Sequence, residues 1–482
     1  MRSGKRILVV LIACLLGAFC ANAQIGLTAN ALIYSTDESC SFADSSALFN
    51  IKHIVITGNK RTRNATIFRE LSFQQGEEYP LNVLVDKFAE TKKQLMNTGL
   101  FRSVVVSLNS LQGYDVYVSI SVEERWYLYP IPFLRVIDRN FNEWVVKHDM
   151  NLNRVNYGIK LTHNNTTGRN DKLELYFVNG FTKQVAIKYD NLFLDKAMKW
   201  ALDFNVAWGK NHEVTYNTVN DKQVAYKNNN DFVHSFFRTG LEVSYRRAIK
   251  TKHTFGIGYH YDNVDDTLFH LNPAYSHQRK VVRYPELNYT MRHNNVDFIP
   301  YPKDGYIAEV GLAKKGFSAD MNLWQLTTKA SAWWPLSDKY YFNLRLAGML
   351  KLPFKQSYIN KQLLGYSDMY MQGFEYNVID GVVGGYGKAV LARQLINTAI
   401  SIPSKKIDRL NHMPIAVYGK VYGNLGYVYD PAPGYNQLKN RPLYSSGIGL
   451  DFVLLTNFVF KLEYSFNQFG QKGIYLHHRD HF

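Results

Sequence analysis

Cysteine is nearly absent from this chain: there are three among 482 residues, and Cys14 and Cys20 fall in a leader expected to be removed, which leaves Cys40 alone. No intrachain disulfide can then staple the mature fold. Long apolar runs are missing too. After the leader no stretch approaches the roughly 18 apolar residues a membrane helix needs, and mean hydropathy is slightly negative at -0.26. No segment recurs at a fixed period, which excludes a solenoid. Catalytic signatures are also lacking. There is no Gly-x-Ser-x-Gly nucleophile elbow, and Gly384-Gly385-Tyr386-Gly387-Lys388 lacks the Lys-Ser/Thr ending of a phosphate loop. His477, His478 and His481 come without a cysteine or a carboxylate cluster, and strand alternation splits His478 from the other two, so they read as a strand end rather than a metal site. No enzyme activity, metal or cofactor is expected.

What is present begins with an export signal over residues 1–23. Arg2, Lys5 and Arg6 form the charged region, Ile7 to Phe19 the apolar one, and Ala21-Asn22-Ala23 the cleavage site, so the mature chain is expected to start at Gln24. The composition is 46% hydrophobic and 15% aromatic, with 34 Tyr. An exported, tyrosine-rich chain without spanning helices is either soluble or a transmembrane barrel. The net charge of +16 would suggest nucleic acid in a cytoplasmic protein. Export removes that reading and leaves anionic lipid headgroups, or a charged wet lumen, to account for it. Residues 24–50 show no period and are expected to be a flexible lead-in.

Residues 51–125 predict a small α+β module. A strand from Ile51 to Thr57 ends at Gly58-Asn59. A helix starts near Asn64, with Ile67 and Leu71 one turn apart. A second runs from about Asn82 to Thr98 with Leu84, Phe88 and Leu95 on one face, and Gly99 stands where a left-handed cap is wanted. Two alternating strands follow, through Val104, Val106 and Leu108 and through Val116, Val118, Ile120 and Val122. This βααββ order, with Gly58 and Asn59, with Gly99, Leu100 and Phe101, and with Val122-Glu123-Glu124-Arg125, resembles a POTRA domain. A three-stranded sheet with helices on one face has open edges, which can take an extended peptide by main-chain hydrogen bonding.

From Trp126 onward the helical period gives way to alternation. Phe458, Phe460, Leu462, Tyr464 and Phe466 alternate with Lys461, Glu463 and Ser465, and similar patterns recur at 173–177, 202–206 and 342–346. Alternation fits a soluble sandwich or a membrane barrel; size and export favour the barrel. About sixteen segments are expected, beginning near 126, 156, 171, 182, 200, 240, 253, 282, 305, 322, 340, 388, 414, 445, 456 and 472. Trp126, Trp208, Trp333, Trp334, Tyr340 and Tyr341 are expected to form interfacial girdles. The fold class is therefore mainly β: a C-terminal transmembrane antiparallel barrel of about 16 strands over 126–482, preceded by one small α+β domain.

Between the eleventh and twelfth segments lies Leu363 to Gly381, LLGYSDMYMQGFEYNVIDG. Its tip, Met371-Gln372-Gly373-Phe374, resembles the long loop of the BamA/TamA-type outer-membrane assembly superfamily, which folds back into the barrel lumen. The resemblance implies an inward loop over 351–385. It also implies a loop arginine held by acidic residues on nearby strands. Here Gln372 stands where the family has that arginine, and Asn424 stands where it has one of the acids, with Gln394 near a second. Docking by neutral amides of Gln372, Asn424 and Gln394 is the resulting expectation, less sensitive to pH and salt than an ionic lock.

The resemblance further implies a location in the outer membrane of a Gram-negative cell, with the POTRA domain in the periplasm. Its implied partners are unfolded outer-membrane protein clients, outer-membrane lipids and candidate accessory lipoproteins, with no nucleic acid. The implied function is insertion of other barrels or passage of a polypeptide. The working part would be a weak seam between the first strand, from Trp126 to Val136, and the last, from Lys472 to Phe482. A passive pore plugged by residues 363–381 and, behind it, an outer-membrane lipid hydrolase are the competing readings.

Overall fold

A computed structural model describes residues 47–136, 144–145, 149–228, 230–276, 278–366, 369–400, 413–454 and 458–478. The leader, most of the lead-in and Phe482 lie outside them. The N-terminal module comprises β1 (Leu48–Thr57), α1 (Asn64–Phe68), β2 (Glu78–Pro80), α2 (Leu81–Asn97), β3 (Phe101–Gln112) and β4 (Asp115–Glu124). Its sheet has the order β2-β1-β4-β3, with β1 parallel to β4 and the other pairs antiparallel. The alternating valines of β3 and β4 and the Leu84/Leu95 stripe of α2 meet in one core with Ile51, Ile67, Leu100 and Phe101. At the end of α2, Gly99 takes φ +73 and donates its N–H to the Met96 carbonyl at 3.1 Å, which stops the helix.

Three expectations need correction here. The sheet has four strands, because the three residues of β2, too short to show a period, pair with Leu48 to Asn50. Those residues are therefore not a flexible lead-in but the start of β1, and Phe49 sits in the core on the same face as Ile51. The first helix ends at Phe68, so Leu71 packs into the core from the turn that follows.

The rest of the chain builds a 16-stranded sheet in which each strand is antiparallel to the next in sequence. It runs from a first strand, Leu128–Val136, to a sixteenth, Lys472–His478, with Tyr340–Leu352 eleventh, Val383–Ile400 twelfth, Met413–Tyr429 thirteenth, Pro442–Leu454 fourteenth and Phe458–Asn467 fifteenth. Trp126 stands two residues ahead of the first strand. The starts agree with the alternation to within a few residues; the largest differences are at the sixth strand, which begins at His234, and the twelfth, which begins at Val383.

Which face is covered decides between sandwich and membrane barrel. On the fifteenth strand the oily residues Phe458, Phe460, Leu462, Tyr464 and Phe466 are exposed, while Lys461, Glu463, Ser465 and Asn467 are buried. A soluble sandwich buries the opposite set. Here the apolar face needs acyl chains and the polar face lines an interior. The sheet curls round that interior, since Lys172 of the third strand (Lys172–Gly180), Arg292 of the eighth (Val281–Val296), Asn343 of the eleventh and Lys461 of the fifteenth line one cavity of about 640 Å³. The same alternation amends the girdles: Trp334 and Tyr340 face outward, but their neighbours Trp333 and Tyr341 are turned into the lumen and buried.

Candidate functional site: the lumen loop and the seam

The described residues of the connection between the eleventh and twelfth strands, 353–366 and 369–382, fold into the barrel. Leu363, Leu364, Met369, Met371, Phe374 and Ile379 bury against Tyr386, Val428 and Leu443 of the twelfth to fourteenth strands. Each such side chain contributes about 1.5–3 kcal/mol when fully buried. Gly373 turns the tip at φ +87, and a Cβ there would stand 2.6 Å from the Ser445 Cβ, so the tip reaches the fourteenth strand only as glycine.

The polar contacts of the tip are set by strand alternation. Tyr418, Lys420, Tyr422 and Asn424 share the lumen face of the thirteenth strand; Ser445 and Asp451 lie on that of the fourteenth, and Glu463, Ser465 and Asn467 on that of the fifteenth. Asn424 donates its amide to the main-chain carbonyl of Gln372 at 3.4 Å, not to its side-chain amide, and to the Ser445 hydroxyl at 3.0 Å. Asn467 donates to the Gly373 carbonyl at 2.7 Å, and the Gln372 amide donates to Glu463 at 3.3 Å. Gln394 is not brought to the loop. It pairs with Tyr418, six residues along the strand from Lys388, which pairs with Asn424, and this puts it about 20 Å from the tip's level.

The expectation of a purely neutral dock also requires correction. Two carboxylates remain, Glu463 and Asp451, and Lys420 bridges them from within the wall, 2.6 Å from Glu463. All three are buried. A buried carboxylate needs a cation or several donors. In this chain the wall supplies the cation where the resembled family draws it from the loop. His477, on the sixteenth strand, hydrogen-bonds through Nδ1 to the other Glu463 oxygen and through Nε2 to the hydroxyl of Tyr370 in the loop, which also donates to Glu375 at 2.7 Å. Lys420, Asp451, Glu463 and His477 are functional candidates that the sequence reading missed. Alternation put Lys461, Glu463 and Ser465 on one wet face, but nothing local says that this face meets Gln372, 91 residues away.

The first and sixteenth strands are the two ends of the 16-stranded sheet. Among the described residues no ladder joins them, and the sheet runs open from one to the other. Pro130 and Pro132 remove two backbone donors from the first strand, as befits an edge. Among the described residues the sixteenth pairs with its neighbour from Phe460 to Phe466. On the side facing the N-terminal module, Arg246 forms a two-pronged pair with Glu70 at 2.7 and 3.0 Å, and Lys250 reaches Glu90 at 3.1 Å. At the opposite end, Asn220 and Asp221, both at positive φ, turn a hairpin of Glu213–Val219 and Lys222–Lys227 whose tip accepts the Val378 N–H and so roofs the loop.

A family model described as POTRA, surface antigen variable number repeat, matches residues 49–125, and one described as Omp85 superfamily domain matches residues 165–470, more than half of the chain. The chain belongs to the Omp85 superfamily. As an Omp85 protein it is an outer-membrane barrel of a Gram-negative cell with its POTRA domain in the periplasm. The outer membrane protein assembly factor BamA of Neorickettsia risticii is 27% identical over 81 residues, 17% of this chain and 10% of that relative, so the match spans about a tenth of the relative's length. Among solved structures, BamA from Haemophilus ducreyi lacking POTRA domains 1-3 aligns at 15% identity and TM-score 0.48 over 89% of this chain and 83% of its own. CdiB from Escherichia coli aligns at 11% and 0.46 over 92% and 91%.

Proposed function

We propose that this Omp85 protein inserts client polypeptides into the outer membrane through the seam between its first and sixteenth strands. The observation that supports this reading is a pair of edges, the first and sixteenth strands of one sheet, with no ladder between them among the described residues. A client strand can pair with one edge and replace barrel hydrogen bonds one at a time, while its apolar face moves into lipid, so the exchange needs no external energy source. The POTRA sheet offers a second edge, the outer side of β3, to an extended chain before it reaches the membrane. The reading is non-enzymatic and requires no cofactor.

The test places a photocrosslinking residue at Leu476, on the outward face of the sixteenth strand, and for comparison at Ile257, equally exposed on the seventh strand (Thr251–Val264). Vesicles holding the protein receive an unfolded eight-stranded outer-membrane barrel as client. Capture at Leu476 but not at Ile257, with faster client folding than in empty vesicles, is the expected outcome. Equal capture at both positions, or no acceleration, would overturn the reading.

A further inference from the structure

The POTRA domain and the sixteenth strand are joined through the lumen by polar contacts and one short stretch of backbone, from Ile299 to Tyr301. The link starts at Asn97, the last residue of α2, whose side-chain oxygen accepts the Ile299 N–H at 2.9 Å and whose amide donates to the Val296 carbonyl at 3.2 Å. Ile299 belongs to the turn 297–304 between the eighth and ninth strands. That turn is stiffened by Asp297, which accepts the N–H groups of Lys303 and Asp304 at 2.9 and 3.2 Å. Instead of hanging in the periplasm, the turn sends Tyr301 up into the barrel, where it is buried against the Tyr418 ring, with centroids 4.6 Å apart.

The Tyr301 hydroxyl lies 2.6 Å from that of Tyr341 and donates to Asp451 at 3.0 Å. Asp451 pairs with Lys420, Lys420 with Glu463, and Glu463 with both the loop tip, through Gln372, and the sixteenth strand, through His477. Every member from Tyr301 to Glu463 is buried, so these contacts are little screened by salt and the loss of one is felt by the next.

We infer that Tyr301 is a positioning residue that links the placement of the POTRA domain to the hold on the sixteenth strand. With the α2 end against the turn, Tyr301 supports Asp451 and fixes Lys420 between its two carboxylates, and Glu463 then holds His477. When Asn97 leaves, Tyr301 loses its anchorage, Asp451 competes more strongly for Lys420, and the grip on the last strand loosens. A client arriving at the POTRA domain would thereby act on the seam without touching it. A contiguous network does not by itself demonstrate coupling; non-additivity of substitutions at its ends does.

The functional use of this link rests on the seam reading above, but the link can be read without a client. Amide hydrogen exchange is followed in the full chain, folded in lipid nanodiscs, for Tyr301→Phe, which keeps the ring and removes the hydroxyl, for Asn97→Ala, and for the double variant. Exchange over residues 472–478 is expected to quicken about tenfold in each single variant and no further in the double. Residues 251–264, remote from the chain of contacts, should be unchanged. Additive singles, unchanged exchange at 472–478, or quickening over the whole barrel would overturn the inference. Loss of Leu476 crosslinking with this exchange pattern intact would instead count against the seam as an insertion route.

Discussion

At the residue scale, the arrangement around Lys420 is a rearranged charge balance. The resembled family has a cation on the loop and acids on the wall, whereas this chain has Gln372 on the loop and keeps cation and acids together on the wall. Removing Lys420 as Lys420→Met would leave Asp451 and Glu463 buried without their shared partner, a loss of about 3–5 kcal/mol for a broken buried pair. Returning the cation to the loop with Gln372→Arg should repair that loss, because the Gln372 amide already touches Glu463. In the native background the same arginine would crowd Lys420 and destabilise. Unfolding in urea, followed by loss of the compact form that resists unheated detergent, is expected to rank native first, then the Lys420→Met/Gln372→Arg pair, then Lys420→Met. A pair no more stable than Lys420→Met alone would show that the two positions do not share one charge site.

At the scale of elements, strands were easy to read and their meeting points were not. A two-residue period is a local property, so Phe458 to Phe466 announced a strand, and sixteen such stretches announced the sheet. Whether the oily face looked inward or outward was undecidable from period alone and is settled only by the burial of Lys461 and Glu463. The Gln372 tip was legible as a loop, but its partner Glu463 was not, since contacts across the lumen carry no sequence spacing. The short β2 escaped for lack of length, and the first residues of β1 escaped although Phe49 and Ile51 already alternate with Asn50.

The turn between β1 and α1 was legible as Gly58-Asn59, and here the geometry makes a sharp demand. Gly58 has φ +88, and a Cβ on it would stand 1.9 Å from the Val122 carbonyl of β4. Gly76, with φ +87 in the same domain, faces nothing within 4 Å. Both alanine substitutions incur a conformational cost of about 1–3 kcal/mol; only Gly58→Ala must also push a backbone strand aside. Pulse proteolysis of the POTRA domain in the full chain should therefore show a clearly larger loss for Gly58→Ala than for Gly76→Ala. Equal losses would mean that β1 and β4 do not approach as closely as described.

For the whole molecule, the placement of the POTRA domain rests on charge as much as on shape, and this gives it a pH window. Glu90, on α2, is partly buried, which by itself raises its carboxyl pKa. The hydrogen bond from Lys250 and the nearby charge of Lys93 outweigh burial, so the pKa is lowered. A carboxylate with a lowered pKa contributes its full stabilisation above the ordinary carboxylate range and loses it as pH falls through the lowered value. Lys93 and Gln94 sit on α2 itself and stay with Glu90 when the domain swings away; the Lys250 share alone belongs to docking. Spin labels at Lys52 and Lys339 should then report one narrow distance at pH 7 and little change down to pH 5. Broadening should set in as pH falls below about 4.3, the ordinary glutamate value, toward the lowered value of Glu90. In Lys250→Met that docking share is gone at every pH, so the distribution should already be broader at pH 7 and respond less to acid. Acid unfolding of the POTRA domain would broaden both proteins alike, so the two causes are separable. A distribution that stays narrow in acid, or a Lys250→Met protein that matches the native one throughout, would remove charge as what holds the domain in place.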